Sequence, residues 1–125
     1  MLDGTLAVEG RTTNVGISSR PANAFSSYLG TVINNQFGST DIIIGMIFAS
    51  ATASGNTIIA TGVDRSASNY ANPSRGFNVE PIVSGTMTLT LSAARVGAAV
   101  SGSINFTTTA RSLTATFSGT VLSIN

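Results

Sequence analysis

The sequence has 125 residues, 9% of them charged, a net charge of +1, and no cysteine, histidine or lysine. These absences exclude disulfides, thiolate chemistry, a histidine general base and a lysine Schiff base. The basic residues are all arginines and are spread along the chain, so nothing indicates a nucleic-acid partner. The length fits a single domain, residues 1–125, which buries about two-thirds of its unfolded surface.

Patterns for membrane insertion and export are missing. The longest apolar run, Ile42 to Ala49, is far shorter than the ~20 residues that a helix needs to span a bilayer, so we expect no membrane insertion. The first residues, Met1 to Thr5, lack the basic start and apolar run of a signal peptide. We therefore expect a chain that works without Sec-type export, or a mature form from which a signal was removed.

The N-terminal part predicts two strands followed by a helix. Alternating apolar residues indicate a first strand from Gly4 to Arg11 and a second from Asn14 to Ser18. Between Pro21 and Gly30 the apolar residues fall at helical spacing, proline suits the first turn and glycine suits the closing residue. One short helix is therefore predicted there, covering the end of a barrel or an open sheet edge.

The run from Ile42 to Ala49 is apolar without alternation. Such a strand is covered on both sides, or its outer face meets another subunit. Ile43 and Ile47 would lie on that second face and are the candidate subunit interface. Ser54-Gly55-Asn56 is a hairpin signal, so the returning strand Thr57 to Val63 is predicted to pair antiparallel with the run.

The segment from Asp64 to Pro81 is rich in Ser, Asn, Pro and Arg and predicts a long irregular loop. Long loops that a rigid sheet holds are where binding residues concentrate, and tyrosine and arginine are enriched at recognition hot spots. The alternative is a solvated loop whose first residues form a turn with a weak surface ion pair. The candidate contact residues are Asp64, Arg65, Tyr70, Arg75 and Phe77.

Three segments between Val83 and Ile124 alternate apolar and hydroxyl residues with period two. This alternation predicts a β-meander that presents one apolar face to a core and one hydroxylated face elsewhere. Leu122 breaks the alternation of the last segment, which predicts a β-bulge beside Gly119. The three segments are Val83 to Ser92, Val100 to Thr107 and Leu113 to Val121.

Catalytic and metal-binding patterns are missing as well. The acidic residues lie in unrelated segments, so no carboxylate pair indicates glycoside hydrolysis and no Asp-x-Asp spacing indicates calcium. Serine and threonine have no histidine or lysine to activate them. The hydroxyl faces admit an ice- or glycan-binding array, but threonine is ordinary on solvent-facing strands and solenoid repeats are missing. We predict a protein without catalytic residues, metal or cofactor.

The meander resembles a known kind of domain. Ser84 to Thr90, Val100 to Thr107 and Leu113 to Thr120 are similar to the C-terminal third of small secreted bacterial β-barrel domains of lipocalin-like type. The resemblance covers Val83 to Ile124, and the lipoprotein cysteine that such families usually carry is absent. It implies a barrel whose interior holds a small apolar ligand, and it carries over no catalytic residue.

These patterns together predict an all-β fold, an antiparallel β-barrel or β-sandwich of about eight strands with one short helix. The function expected first is a non-enzymatic structural subunit that self-associates into a homo-oligomer or larger protein assembly. A capsid-decorating or tail component of a virion, or an extracellular surface-assembly protein, would fit, which places the protein in the virion or at the cell surface. The alternative is a secreted lipocalin-like barrel that binds a small apolar ligand or a glycan.

Overall fold

A computed structural model describes residues 2–20, 28–33, 43–72 and 76–123 of the chain. Every strand pairing in these ranges is antiparallel, and no helix occurs in them. The all-β prediction is confirmed. The strands are β1 (Leu2–Val8), β2 (Arg11–Arg20), β3 (Tyr28–Ile33), β4 (Ile43–Gly45), β5 (Phe48–Ser54), β6 (Thr57–Val63), β7 (Asn69–Asn72), β8 (Phe77–Leu91), β9 (Ala99–Thr108) and β10 (Ser112–Val121).

The strands form one ten-stranded sheet in the order β3-β2-β1-β10-β9-β8-β6-β5, and β7 joins β4 to β8 beside that path. Within the described residues no ladder closes the sheet into a barrel. The end strands β3 and β5 nevertheless lie beside each other. The sheet therefore curls, and its inner face encloses the core.

The predicted meander is confirmed as β8, β9 and β10. On β8 the side chains of Met87, Leu89 and Leu91 are buried, whereas Thr86 and Thr90 between and beside them are exposed. Successive residues of a strand face opposite sides of the sheet, so every second side chain enters the core. The largest fully buried side chains on the inner face are Tyr70, Phe48, Phe106, Phe117, Leu2, Leu6, Ile17, Ile44, Met46 and Ile58.

Glycine determines how closely β9 lies against β8. A Cβ atom built on Gly102 would lie 2.0 Å from the Thr88 carbonyl oxygen, and Gly102 pairs with Leu89 in the ladder. No other residue type fits such a close backbone approach. The close approach of the two backbones at this position therefore depends on the missing side chain.

The first hairpin is tighter than the sequence suggests. The first strand ends at Val8 and not at Arg11, because Glu9 (φ 51°) and Gly10 (φ 77°) form a turn in the left-handed region. Paired positive φ angles match the twist of the flanking strands in a tight hairpin. The turn places the Glu9 side chain at one end of the sheet.

The predicted helix from Pro21 to Gly30 does not extend to its proposed end. Tyr28, Leu29 and Gly30 belong to β3 and pair with β2. Residues 21–27 lie outside the described ranges, so the remainder of the helix stays a prediction. The ladder to β2 competes with helix formation because it gives the backbone of these residues hydrogen-bond partners.

The run from Ile42 to Ala49 is not one strand, which corrects the predicted pairing. β4 pairs with β7, and only from Phe48 onward does β5 pair with β6. The chain passes from one ladder to the other at Met46 and Ile47, where the Ile47 N–H donates to Ser68 Oγ at 3.0 Å. The predicted hairpin turn is confirmed, since β5 ends at Ser54 and β6 begins at Thr57.

The predicted bulge beside Gly119 is wrong. Gly119 pairs in regular register with Val100 on one side and Gly4 on the other. Leu122 breaks the alternation only because it follows the end of β10 and is exposed. Register shifts occur instead at Ile17/Ser18, Tyr70/Asn72 and Ile82/Ser84.

Candidate functional site

Outward-facing side chains of β5, β6, β8, β9, β10, β1 and β2 align in rows across the sheet. We call these rows the outer hydroxyl face, because apart from Asn14, Asn105, Ile59 and Ala7 every member is serine or threonine. None is charged, and all are exposed or half-buried. The rows are Ser54, Thr57, Thr90, Ser101, Ser118, Thr5 and Asn14; Thr52, Ile59, Thr88, Ser103, Thr116, Ala7 and Thr12; and Ser50, Thr61, Thr86, Asn105 and Thr114.

Side chains of this face hydrogen-bond to their neighbours across the strands. Thr114 Oγ1 donates to Asn105 Oδ1 at 2.8 Å, and Ser50 Oγ lies 3.3 Å from Thr61 Oγ1. A hydroxyl has one donor and two acceptor sites, so each pair keeps capacity for a further partner. The face can therefore bond to other polar groups without breaking its own contacts.

Apart from Glu80, which lies within β8 beyond the rows, charged residues in the described ranges lie in turns, at strand ends, or one row beyond the face. Arg11 begins β2, Arg65 lies in the turn after β6, Arg95 lies between β8 and β9, and Arg111 precedes β10. Asp3 pairs with Thr120 beyond the first row. The face itself is therefore free of charge.

A groove lies at one end of the outer hydroxyl face, where β8 changes partner. The β6–β8 ladder ends at Thr61 paired with Thr86, and the β7–β8 ladder begins at Asn69 paired with Pro81. β6 and β8 diverge between these two ladders and leave an open groove of about 720 Å³. Its lining is Thr61, Gly62, Val63, Val83, Ser84, Gly85, Thr86, Asn105, Phe106, Thr107, Ser112, Leu113 and Thr114.

Two acids and one arginine meet with three neutral polar residues in one place, which we call the end network: Glu9, Glu80, Arg111, Tyr70, Asn72 and Thr108. The hydroxyl of Tyr70 donates to Glu9 Oε1 and accepts from Asn72 Nδ2 at 3.4 Å. Arg111 donates to Glu80 through Nε at 3.0 Å and Nη2 at 2.5 Å, and Thr108 Oγ1 donates to Glu80 Oε1 at 2.7 Å. The network ties the β1–β2 and β9–β10 turns to β7 and β8.

Hydrogen bonding and burial shift the pKa values of this network. Bonds from Arg111, and then from Thr108, hold the pKa of Glu80 below its usual range, and Glu80 in turn raises the pKa of Arg111. Burial, and secondly the bond to Glu9, raises the pKa of Tyr70. Glu80 and Arg111 therefore stay charged and Tyr70 stays protonated over the whole physiological range, which suits a structural role.

The predicted contact loop is not a single loop. Asp64 and Arg65 lie in an exposed turn, where Ser66 donates to Asp64 Oδ1 and lowers the pKa of that carboxyl. The placement of Tyr70 on an exposed loop is wrong, because Tyr70 lies in β7 with 0% exposure. Arg75 is outside the described residues, and Phe77 begins β8. Whether these residues bind a partner stays a prediction.

The residues of the apolar run that contains the predicted subunit interface also lie in different elements. Ile44, Met46 and Phe48 are buried in the core of this chain, as the sequence predicts for one side of the run. Ile47 is half-buried and lies between β4 and β5. Ile43 begins β4 and pairs with Ala71. An interface at Ile43 and Ile47 stays a prediction.

Sequence reasoning missed the end network, because its members are far apart along the chain. Tyr70 and Glu9 are 61 residues apart, and Arg111 and Glu80 are 31 apart. A local signal existed for Thr108, whose hydroxyl accepts from the backbone N–H groups of Ala110 and Arg111, a common turn pattern. The sequence around the other members of the end network contains no such local signal.

No protein-family model, no curated protein and no solved structure matches this chain. The lipocalin-like resemblance of the meander accordingly stays a prediction. In the part of the chain that the structure describes, no three acidic residues group closely enough to hold a metal ion. The same residues include no helix that is long and apolar enough to cross a membrane.

Proposed function

We propose that this protein is a non-enzymatic assembly subunit that self-associates through the outer hydroxyl face. A virion component, such as a capsid-decorating or tail protein, or an extracellular surface layer is the setting in which we expect it to work. One observation carries the proposal: the side-chain rows that cross β5, β6, β8, β9, β10, β1 and β2 contain no charged residue.

Uncharged hydroxyl rows are suited to burial against a second copy. Burying a charge without a partner costs several kcal/mol, whereas a hydroxyl is compensated by a single hydrogen bond. Serine and threonine both donate and accept, so two copies of such a face can satisfy each other in more than one register. The net charge of +1 adds little repulsion between copies.

Absence of catalysis is part of the proposal. Glu9 and Glu80 meet in the end network, but Glu80 is bound by Arg111 and Thr108, and Tyr70 is buried. These groups hold the sheet end together and offer no accessible nucleophile. A hydrolase activity that purifies with the protein and disappears in Glu80→Gln would contradict this part.

For the finer architecture we propose a barrel and not a sandwich. The adjacency of the end strands β3 and β5 supports this, because a curled sheet whose edges meet protects both edges from pairing with other chains. Amide hydrogen exchange tests the proposal. Slow exchange at β5 is expected for a closed wall, whereas fast exchange along the whole strand indicates an open sheet edge.

Introducing charge into the face tests self-association. Thr90→Glu with Thr116→Glu places two carboxylates on exposed positions of β8 and β10. We expect the parent protein to form oligomers in analytical ultracentrifugation and the variant to run as a smaller species with an unchanged melting temperature. The matched control, Ala94→Glu with Ala110→Glu, adds the same charge in exposed loops and should keep the parent's size. A monomeric parent, or a face variant of parental size, would overturn the proposal.

A further inference from the structure

The groove where β6 leaves β8 has a floor and walls of different chemistry. Val63 and Leu113 are half-buried and pack partly against the core, and Val83 is half-buried at the register shift of β8. Leu113 pairs with Phe106 of the core and Val63 also packs against the core, so Val83, which is not part of the core, is the aliphatic side chain that forms the groove floor. Hydroxyl and amide side chains from β6, β8, β9 and β10 surround it.

Two glycines lie where β6 and β8 diverge. Gly62 has φ +75°, which L side chains rarely adopt, and lies where β6 turns away from β8. A Cβ atom on Gly85 would lie 3.1 Å from Val63 Cγ2 and 3.2 Å from Phe106 Cβ, tighter than ordinary contacts. Glycine at these two positions therefore permits the backbone path of β6 and β8 beside the groove.

Hydrogen-bonded pairs hold the polar groups of the groove in place. Ser84 Oγ lies 2.5 Å from Thr107 Oγ1, and Thr114 Oγ1 donates to Asn105 Oδ1. Fixing these side chains beforehand lowers the entropy that a ligand must pay on binding. The acceptor sites left on the hydroxyls, and the two donors of the Asn105 amide nitrogen, can serve a ligand.

No lining residue is charged, although charged side chains lie close by along the chain. Glu80 and Arg111 come shortly before Val83 and Ser112, but each binds the other in the end network. An ionic ligand would lose water and find no counter-charge in the groove. A neutral ligand with many hydroxyls and an apolar surface matches both the floor and the walls.

We propose that this groove binds a neutral saccharide. A sugar ring has an apolar C–H face for the aliphatic floor and a rim of hydroxyls for Ser84, Asn105 and Thr107. The volume of about 720 Å³ lies within the range of small-molecule sites, ~300–1,000 Å³. The site lies on the outside of the sheet, whereas the lipocalin-like resemblance implies a ligand inside the barrel.

The inference does not depend on self-association, although Thr61, Thr86, Asn105 and Thr114 belong to both surfaces. Oligomer size reports on the face, and saccharide binding reports on the groove. A monomeric protein that binds saccharide would contradict only the proposed function. An oligomer that binds none would contradict only the groove.

Amide chemical shifts of the full-length protein provide the test. Maltotriose, cellotriose and triacetylchitotriose are titrated separately, with trigalacturonic acid as an anionic comparator. We expect at least one neutral trisaccharide to shift the amides of Ser84, Asn105 and Thr107 with saturation, and the anionic one to shift them less. No saturable shift with any neutral sugar would overturn the proposal. If the amide shifts instead change with protein dilution, a second copy of the chain occupies the groove, and this result would also overturn the saccharide proposal.

Two variants locate the binding. Asn105→Asp keeps the side-chain shape but adds a charge, and we expect affinity for the neutral sugar to fall about tenfold or more, the equivalent of one hydrogen bond. Ser103→Ala removes a hydroxyl from the same strand and the same face outside the groove, and should leave affinity unchanged. Equal affinity in both variants would place the sugar elsewhere. Unchanged spectra of the unliganded variants show that each one folds.

Discussion

The outer hydroxyl face and the end network use polar side chains in opposite ways. On the face, uncharged groups bond to neighbours across adjacent strands, such as Thr114 to Asn105. In the end network, charged groups join segments that are far apart, as Arg111 does with Glu80. The difference shows that polar contacts at the sheet end hold the fold together, whereas those on the face leave it available for other molecules.

The largest expected effect is in the end network. Tyr70→Ala removes a ring with 0% exposure that packs edge-on against Phe106 at 5.5 Å between centroids. We expect the free energy of unfolding in urea to fall by about 3–5 kcal/mol, as for other buried aromatic truncations. Thr120→Ala, an exposed change on β10, is the control and should stay within about 0.5 kcal/mol of the parent. Similar losses in the two variants would mean that Tyr70 is not buried.

A smaller effect is expected where the backbone beneath the face is tightest. Gly102→Ala forces a Cβ atom toward the Thr88 carbonyl oxygen, 2.0 Å away in the unrelaxed structure. We expect a loss of about 1–3 kcal/mol, because the strands must separate to accommodate the methyl group. Thermal unfolding measures it. Ser103→Ala, the next residue, should have little effect, and a Gly102→Ala protein as stable as this control would show that the close backbone approach tolerates a side chain.

The charged part of the end network makes a pH-dependent contribution to the free energy of unfolding. Arg111 and Thr108 lower the pKa of Glu80, so its stabilising contribution is present above the ordinary glutamate pKa, about 4.3, and is lost as pH falls through the lowered pKa. Glu80→Gln should therefore be less stable than the parent at neutral pH and lose less stability in acid. Urea unfolding at a series of pH values measures this. Parallel pH profiles of parent and variant would show that Glu80 does not act in this way.

The smallest effect is expected on the face itself. Ile59→Thr changes an outward residue that is 41% exposed, and we expect its unfolding free energy to stay within about 0.5 kcal/mol of the parent. Ile58→Thr is the matched control on the same strand, because Ile58 is 2% exposed and should lose about 2 kcal/mol or more. Chemical denaturation of the pair measures which side of β6 faces the core. Equal losses would show that the two faces do not differ.

The meander could be predicted from sequence because its signal is local. In β8 the buried residues Met87 and Leu89 are each followed by a threonine that faces outward, and this period of two is a direct consequence of strand geometry. The uncharged character of the outer face was also visible in the hydroxyl positions. The extent of this face across β5, β6, β1 and β2 could not be predicted, because the register between distant strands has no local signal.

The region from Ile42 to Pro81 could not be predicted in the same way. The polar composition of its last part, Asp64 to Pro81, is typical of a loop, yet Tyr70 is buried because Glu9 and Asn72 provide hydrogen-bond partners for its hydroxyl. β8 also changes partner near Ile82 and Ser84, where one additional residue shifts the register. Both features depend on residues brought together by the fold, so the groove and the end network emerge only from the structure.

Dissolved salt acts differently on the two regions. Ions screen charges over about 10 Å at 0.1 M and about 3 Å at 1 M, so the exposed part of the pair between Arg111 and Glu80 weakens in brine. Serine, threonine and asparagine side chains on the outer face carry no charge that ions can screen. We therefore expect the proposed contacts through that face to be insensitive to this screening from dilute buffer to seawater.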